Sequence, residues 1–129
     1  MLKVGLRATQ CLCVTHGETA AAVGSGLLPV FATPAMIALM EKTACESVAP
    51  GLEAGQTTVG IAIDARHLAA TPEGLQVRCE STLTAIDRRR LVFELSAFDE
   101  AGLIGTARHE RFIVDADAFL AKAELRKRR

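Results

Sequence analysis

The sequence contains no tryptophan and no tyrosine, and only five phenylalanines among its 129 residues. Half of the residues are nonetheless hydrophobic, so the core must be built from alanine, valine, leucine and isoleucine. There is no excess charge of either sign. Fifteen basic and fifteen acidic side chains cancel, which leaves no global field to favour nucleic acid or an anionic membrane. Four cysteines, Cys11, Cys13, Cys45 and Cys79, include no CxxC pair and no Cys/His spacing of a zinc site, which argues against a metal. Cys11 and Cys13 fall on one face of a strand and are expected as two small buried thiols. No segment reaches the ~20 apolar residues of a membrane span, and the first residues lack the long apolar stretch of a secretory signal. These absences predict a cytoplasmic protein with no metal, no cofactor, no nucleic-acid partner and no membrane partner.

What is present fits one domain spanning residues 1–129, long enough to bury a single core without staples. A strand is expected at 9–15, followed by a small-residue link ending at Gly24-Ser25-Gly26. A helix then begins in Val30-Phe31-Ala32-Thr33-Pro34-Ala35-Met36. Thr33 suits the N-cap and Pro34 the first helical position, where its missing N–H costs nothing. Met36, Ile37, Met40, Ala44 and Val48 recur at helical spacing, and Pro50-Gly51 ends the run. Lys42 and Glu46 fall opposite this apolar stripe and are expected to pair at i,i+4. Glu41 falls on its flank, beside Ile37, Cys45 and Val48.

Four strand-like runs follow. Residues 57–67 place Val59, Ile61, Ile63 and Ala65 on one face. Residues 75–86 alternate as Leu75, Val77, Cys79, Ser81 and Leu83, and 91–98 as Leu91, Phe93, Leu95 and Ala97. Residues 103–114 close the set. The short connectors, Thr71-Pro72-Glu73-Gly74 among them, favour antiparallel neighbours. Residues 115–129 read as a helix with an acidic start and a basic end. The order strand, helix, four strands, helix predicts an α+β architecture of hotdog type, one long helix wrapped by a curved antiparallel sheet.

Three polar residues stand out in these apolar surroundings. A hydroxyl at Thr33, a carboxylate at Glu41 and an imidazole at His67 are the groups that acyl-transfer or ester hydrolysis requires. Each also has a structural reading: a helix cap, a carboxylate reaching solvent, a satisfied histidine at a strand end. Spacing alone does not bring them together. The basic clusters at Arg88-Arg89-Arg90 and Arg126–Arg129 read as solvated hairpin and tail charges.

The segments Phe31-Ala32-Thr33, Leu39-Met40-Glu41, Gly60, His67-Leu68-Ala69-Ala70-Thr71-Pro72-Glu73-Gly74-Leu75 and His109-Glu110-Arg111 resemble the fluoroacetyl-CoA thioesterase family of hotdog proteins. The likeness covers nearly the whole chain, with the same offsets between motif positions. It implies an acyl-CoA thioesterase with Thr33 as nucleophile or water activator, Glu41 as its carboxylate partner and His67 as general base. It further implies that Gly60, Arg111 and Phe31 meet the substrate. The family also implies a homodimer or higher assembly with sites at the subunit junction, which allows Thr33 and His67 to come from different chains. His16 and His109 receive no role. The positions that align with the family's lid aromatics are Gly24 and Leu27, so a short or medium acyl group is expected rather than fluoroacetyl specificity. Other readings on the same fold are a non-catalytic acyl-CoA or small apolar ligand-binding protein and, less supported by spacing, a hydratase or dehydratase.

Overall fold

The computed structural model describes residues 2–128. Five antiparallel strands, β1 (Arg7–Cys13), β2 (Gln56–His67), β3 (Gln76–Asp87), β4 (Arg90–Asp99) and β5 (Gly102–Asp115), form one sheet in the order β1-β3-β4-β5-β2. Between β1 and β2 come a short helix α1 (Ala20–Val23) and the long helix α2 (Thr33–Val48). α2 lies on one face of the sheet and touches all five strands. This is the expected hotdog arrangement. The expected C-terminal helix is α3 (Ala116–Glu124), continued by a 3-10 turn at Leu125–Arg128. Its basic end at Arg129 lies outside the described residues. No helix among them is long and apolar enough to cross a membrane.

The core follows the expected periodicities. α2 buries Met36, Leu39, Met40, Ala44 and Val48 against Val77, Cys79 and Leu83 of β3 and Leu91, Phe93, Leu95 and Ala97 of β4. Each large apolar side chain so placed contributes about 1.5–3 kcal/mol of burial.

Local details differ from the sequence reading, each for a physical reason. β1 ends at Cys13, because the Thr15 N–H and hydroxyl both donate to Glu18 Oε1, at 2.7 and 2.6 Å, and open a 3-10 turn. Cys11 and Cys13 are exposed rather than buried, since Leu12, at the intervening position, is the one packed against the core. Cys79 is the buried thiol. The N-cap of α2 is Ala32, not Thr33. Ala32 keeps extended backbone and its carbonyl accepts from Met36 N at 2.9 Å. Lys42 and Glu46 are exposed as expected but do not pair, because Glu46 accepts from Gln10 Nε2 of β1 at 2.6 Å.

The largest departure is in β2. Its pairing with β5 shifts between Gly60 and Ala62, leaving Ile61 as a bulge. An extra residue reverses the in–out phase of everything beyond it. Thr58 and Gly60 therefore face α2 in the first half of the strand, and Ile63, Ala65 and His67 in the second. Val59 and Ile61 do not share the inner face, and Ile61 is 51% exposed.

Candidate active site

His67 is the last residue of β2 and Thr33 the first of α2. Their side chains meet, with Thr33 Oγ1 2.7 Å from His67 Nδ1. Several contacts hold the two elements in this relation. His67 pairs with Gly105 of β5, where a Cβ would lie 2.5 Å from Met36 Sδ and 2.9 Å from the Arg66 carbonyl. Only glycine lets the first turn of α2 pack so close to β5. Beyond His67, the N–H groups of Leu68 and Ala69 both donate to the Ile104 carbonyl, at 2.7 and 3.3 Å. On the other side, Phe31 N donates to the Thr71 carbonyl at 2.7 Å and Ala32 N to the Glu18 carbonyl at 2.8 Å. The chain entering α2 is thus tied to the loop leaving β2.

The Phe31 ring stands edge-on to the His67 ring, with centroids 6.4 Å apart and planes at 84°. Phe31 is buried, so it supports the imidazole from below as well as lining the cavity in front of it. Burial lowers the His67 pKa, an effect that the nearby Ala69 backbone partly opposes. The net effect favours the neutral imidazole. Where Nδ1 is the unprotonated nitrogen, the Thr33 hydroxyl donates to it, which is the arrangement of a nucleophile beside its base. Nε2 is buried and has no hydrogen-bond partner. The pair opens on a cavity of about 360 Å³ lined by Val30, Phe31 and Leu68 together with the smaller Ser25, Ala69 and Ala70. A larger open hollow of about 570 Å³ lies among charged side chains such as Arg7, Glu80, Glu94 and Arg108. It contains no histidine.

Glu41 does not join Thr33 and His67 within one chain. Eight residues along an α-helix place it about 12 Å from Thr33. It belongs instead to a second polar cluster around Gly60. A Cβ at Gly60 would lie 3.2 Å from Glu41 Oε2, 3.3 Å from His109 Cε1 and 3.4 Å from Arg111 Nη1. Arg111, 7% exposed, donates from Nε to Thr58 Oγ1 at 2.8 Å and from Nη2 to the Thr58 carbonyl at 2.9 Å. Its Nη1 lies 3.2 Å from His109 Nε2. His109 is fully buried, and its Nδ1 lies 2.8 Å from the Ala62 carbonyl. A carbonyl only accepts, so Nδ1 carries the proton and Nε2 is left to accept from Arg111. Burial lowers the His109 pKa, the Ala62 carbonyl opposes the shift, and the adjacent Arg111 charge lowers it further.

The structure thus brings the expected residues together as two groups, Thr33 with His67 and Phe31, and Glu41 with Gly60 and Arg111. Thr33 and His67 meet within one chain, so they do not need two. Sequence reasoning missed His109 and Thr58. The available signal was a pair of polar residues on alternate positions of one strand, His109-x-Arg111, with Gly60 paired to Arg111 across from it. The bulge concealed it by reversing the phase of β2. Among the described residues, no three His, Cys, Asp or Glu side chains converge as a metal site.

A profile of the fluoroacetyl-CoA-specific thioesterase family (FlK) matches residues 14–117. The chain belongs to this family. It is 42% identical over 93 residues to the fluoroacetyl-CoA thioesterase of Streptantibioticus cattleyicolor, covering 72% of this chain and 67% of that protein. A solved structure of the fluoroacetyl-CoA thioesterase FlK superposes with a TM-score of 0.93 at 34% identity, covering 97% of both chains. A threonine-to-serine variant of that enzyme, solved in complex with acetyl-CoA, gives the same TM-score of 0.93. A Thermus thermophilus thioesterase superfamily member matches at a TM-score of 0.89 and 30% identity, covering 98% of this chain and 94% of that one. Like its FlK relatives, the chain is a thioester hydrolase.

Proposed function

We propose that this FlK-family protein is a cytoplasmic homodimer that hydrolyses a short or medium acyl-CoA thioester to the acid and free CoA. The observation that carries the reading is the 2.7 Å contact between Thr33 Oγ1 and His67 Nδ1 at the mouth of a largely apolar cavity. Thr33, or a water that it holds, attacks the thioester carbonyl while His67 takes the proton. The developing oxyanion is met by N–H groups at the start of α2, where Pro34 has none and the Met36 N–H is already used by Ala32. The C–S bond then breaks, and His67 returns its proton to the departing CoA thiolate. Where Thr33 itself attacked, a water deprotonated by His67 then attacks the acyl-Thr33 ester, the C–O bond breaks to release the acid, and His67 returns the proton to Thr33 Oγ1. Four free cysteines fit a reducing compartment.

Glu41 enters this scheme from a second copy. β2 is an edge strand of the sheet, and its unpaired edge is a template for another strand. Antiparallel pairing of β2 with its own copy about an axis near Asp64, with Ile61 taken up as the bulge, sets Gly60 opposite His67 of the partner subunit. The cluster of Glu41, Gly60 and Arg111 then faces the other subunit's Thr33–His67 pair, with Glu41 as orienting carboxylate and Gly60 and Arg111 at the acyl end.

Thiol release from a panel of acyl-CoAs, acetyl- and fluoroacetyl-CoA included, tests the chemistry with the wild type, Thr33→Ala and His67→Ala. Turnover preserved in both variants would remove the pair from the mechanism. Mixing inactive Thr33→Ala and Glu41→Gln chains tests the shared site. About a quarter of wild-type activity should return, since half the dimers are mixed and half their sites intact. No recovery in mixed dimers would place Glu41 outside the partner's site.

A further inference from the structure

His109 is a buried titratable group that the reaction as described does not use. We propose that it is a positioning residue, a fixed acceptor that sets the direction of the Arg111 guanidinium and so how the acyl end of the substrate is held. The proposal rests on the placement of Arg111 at the acyl end and deepens it.

Arg111 has five N–H donors in a rigid fork. Thr58 takes two, through its hydroxyl and its carbonyl, and His109 Nε2 takes a third. No carboxylate lies within ion-pair distance of this buried guanidinium among the described residues, so these neutral acceptors alone fix it. Thr58 grips the Nε–Nη2 side. Only His109 holds Nη1, the nitrogen that lies under the missing Cβ of Gly60. His109 is itself locked, because its Nδ1–H is committed to the Ala62 carbonyl just past the Ile61 bulge. The acceptor role also depends on its protonation state. The charged groups around the imidazole are Arg111 and Glu110 from its own strand and Glu41 from α2. β2 offers the Ala62 carbonyl, and β4 the Phe93 ring, 6.2 Å away. A proton on Nε2 would turn the acceptor into a donor aimed at a guanidinium, and the grip on Nη1 would be lost.

The test compares wild type, His109→Gln and His109→Leu with acetyl-CoA across acidic and neutral pH, reading KM apart from kcat. Glutamine keeps an acceptor and a donor, so its KM should stay within about threefold of wild type. Leucine should raise KM about tenfold or more, the scale of a lost buried bond to a charged group. The wild-type KM should also rise on acidification, and His109→Gln should abolish that rise while leaving the acid dependence of kcat in place. The same ratios can be read as Kd by calorimetry with acetyl-CoA in a Thr33→Ala background, which separates them from any failure of the catalytic pair. An unchanged KM and Kd in a folded His109→Leu protein would overturn the proposal. Should that variant not fold, a KM rise on acidification in His109→Gln equal to that of the wild type would overturn it instead.

Discussion

Thr33 Oγ1 and His67 Nδ1 lie 2.7 Å apart although 34 positions separate the two residues in the chain. The contact joins the first turn of the helix to the last residue of the edge strand. Neither partner owes its place to it alone. The backbone bonds of Phe31, Ala32, Leu68 and Ala69 fix both ends independently, so removing the hydroxyl should leave the imidazole where it is.

Thr33→Ala should therefore separate activity from stability. The helix is capped by Ala32, and Thr33 is exposed, so the unfolding free energy is expected to change by no more than about 0.5 kcal/mol. Turnover should fall 100-fold or more, in the range of a lost general-base contact. Denaturant melts beside a thiol-release assay check both halves. A stability loss several times larger would restore the helix-capping role.

The lowered pKa of His67 carries a direction for pH. The imidazole is a base only when neutral, so kcat/KM, which reports the free enzyme, should reach half its plateau only below the ordinary histidine value of about 6.5. It should fall only as the pH drops through the lowered value in the folded protein. Stability follows the same sign. Both His67, which is half-buried, and the buried His109 bind a proton less readily in the folded state than in the unfolded chain. Their contribution is complete above about pH 6.5 and declines as the pH falls from there toward the folded-state values. Thermal melts through this range should show a falling midpoint, and His109→Gln should flatten part of the slope. A midpoint that rises on acidification would contradict the assignment.

Two glycines should respond differently to alanine. At Gly105 the new Cβ meets Met36 Sδ at 2.5 Å and the Arg66 carbonyl at 2.9 Å. Backbone cannot yield there, and a loss of about 1–3 kcal/mol is expected. At Gly60 the nearest atom is the end of the Glu41 side chain, at 3.2 Å. The locked His109 ring follows at 3.3 Å, so Gly60→Ala should cost about 1 kcal/mol and displace the carboxylate, with activity dropping further than stability.

Thr71→Val tests the loop that follows β2. Thr71 is fully buried and donates to Asp99 Oδ2 at 2.8 Å. Valine leaves that carboxylate oxygen without its partner, at a cost of about 1–3 kcal/mol. Hydrogen exchange at Phe31 N, which donates to the Thr71 carbonyl, should accelerate in step. Unchanged exchange would show that the hydroxyl does not stiffen the segment entering α2.

The fold was legible in the sequence because β3 and β4 alternate cleanly and α2 carries its apolar stripe without interruption. Leu91, Phe93, Leu95 and Ala97 were read onto the core face, and all four are buried. The site was legible only in part. Thr33, Glu41 and His67 stood out by residue type. Their grouping follows from two things that type does not show, the length of α2 between Thr33 and Glu41 and the bulge at Ile61 that sets which residues of β2 face inward. Neither composition nor period marks a bulge in a strand that otherwise alternates. His109 was hidden for a related reason. Its function lies in two hydrogen bonds to atoms, Ala62 O and Arg111 Nη1, that only the β2–β5 register brings near.

That one unpaired residue also separates the register of the strand from its length. β2 behaves as two half-strands of opposite phase spliced at Ile61, the first presenting a hydrogen-bonding cradle to the helix and the second an imidazole. Deleting Ile61 would leave the inner faces of both halves in phase, because Gly60 and Ala62 already pair with the consecutive residues Arg111 and Glu110. Substitution and removal of Ile61 should both leave the inner face of β2 intact, making the register with β5 a stricter requirement than the number of residues between Gly60 and His67.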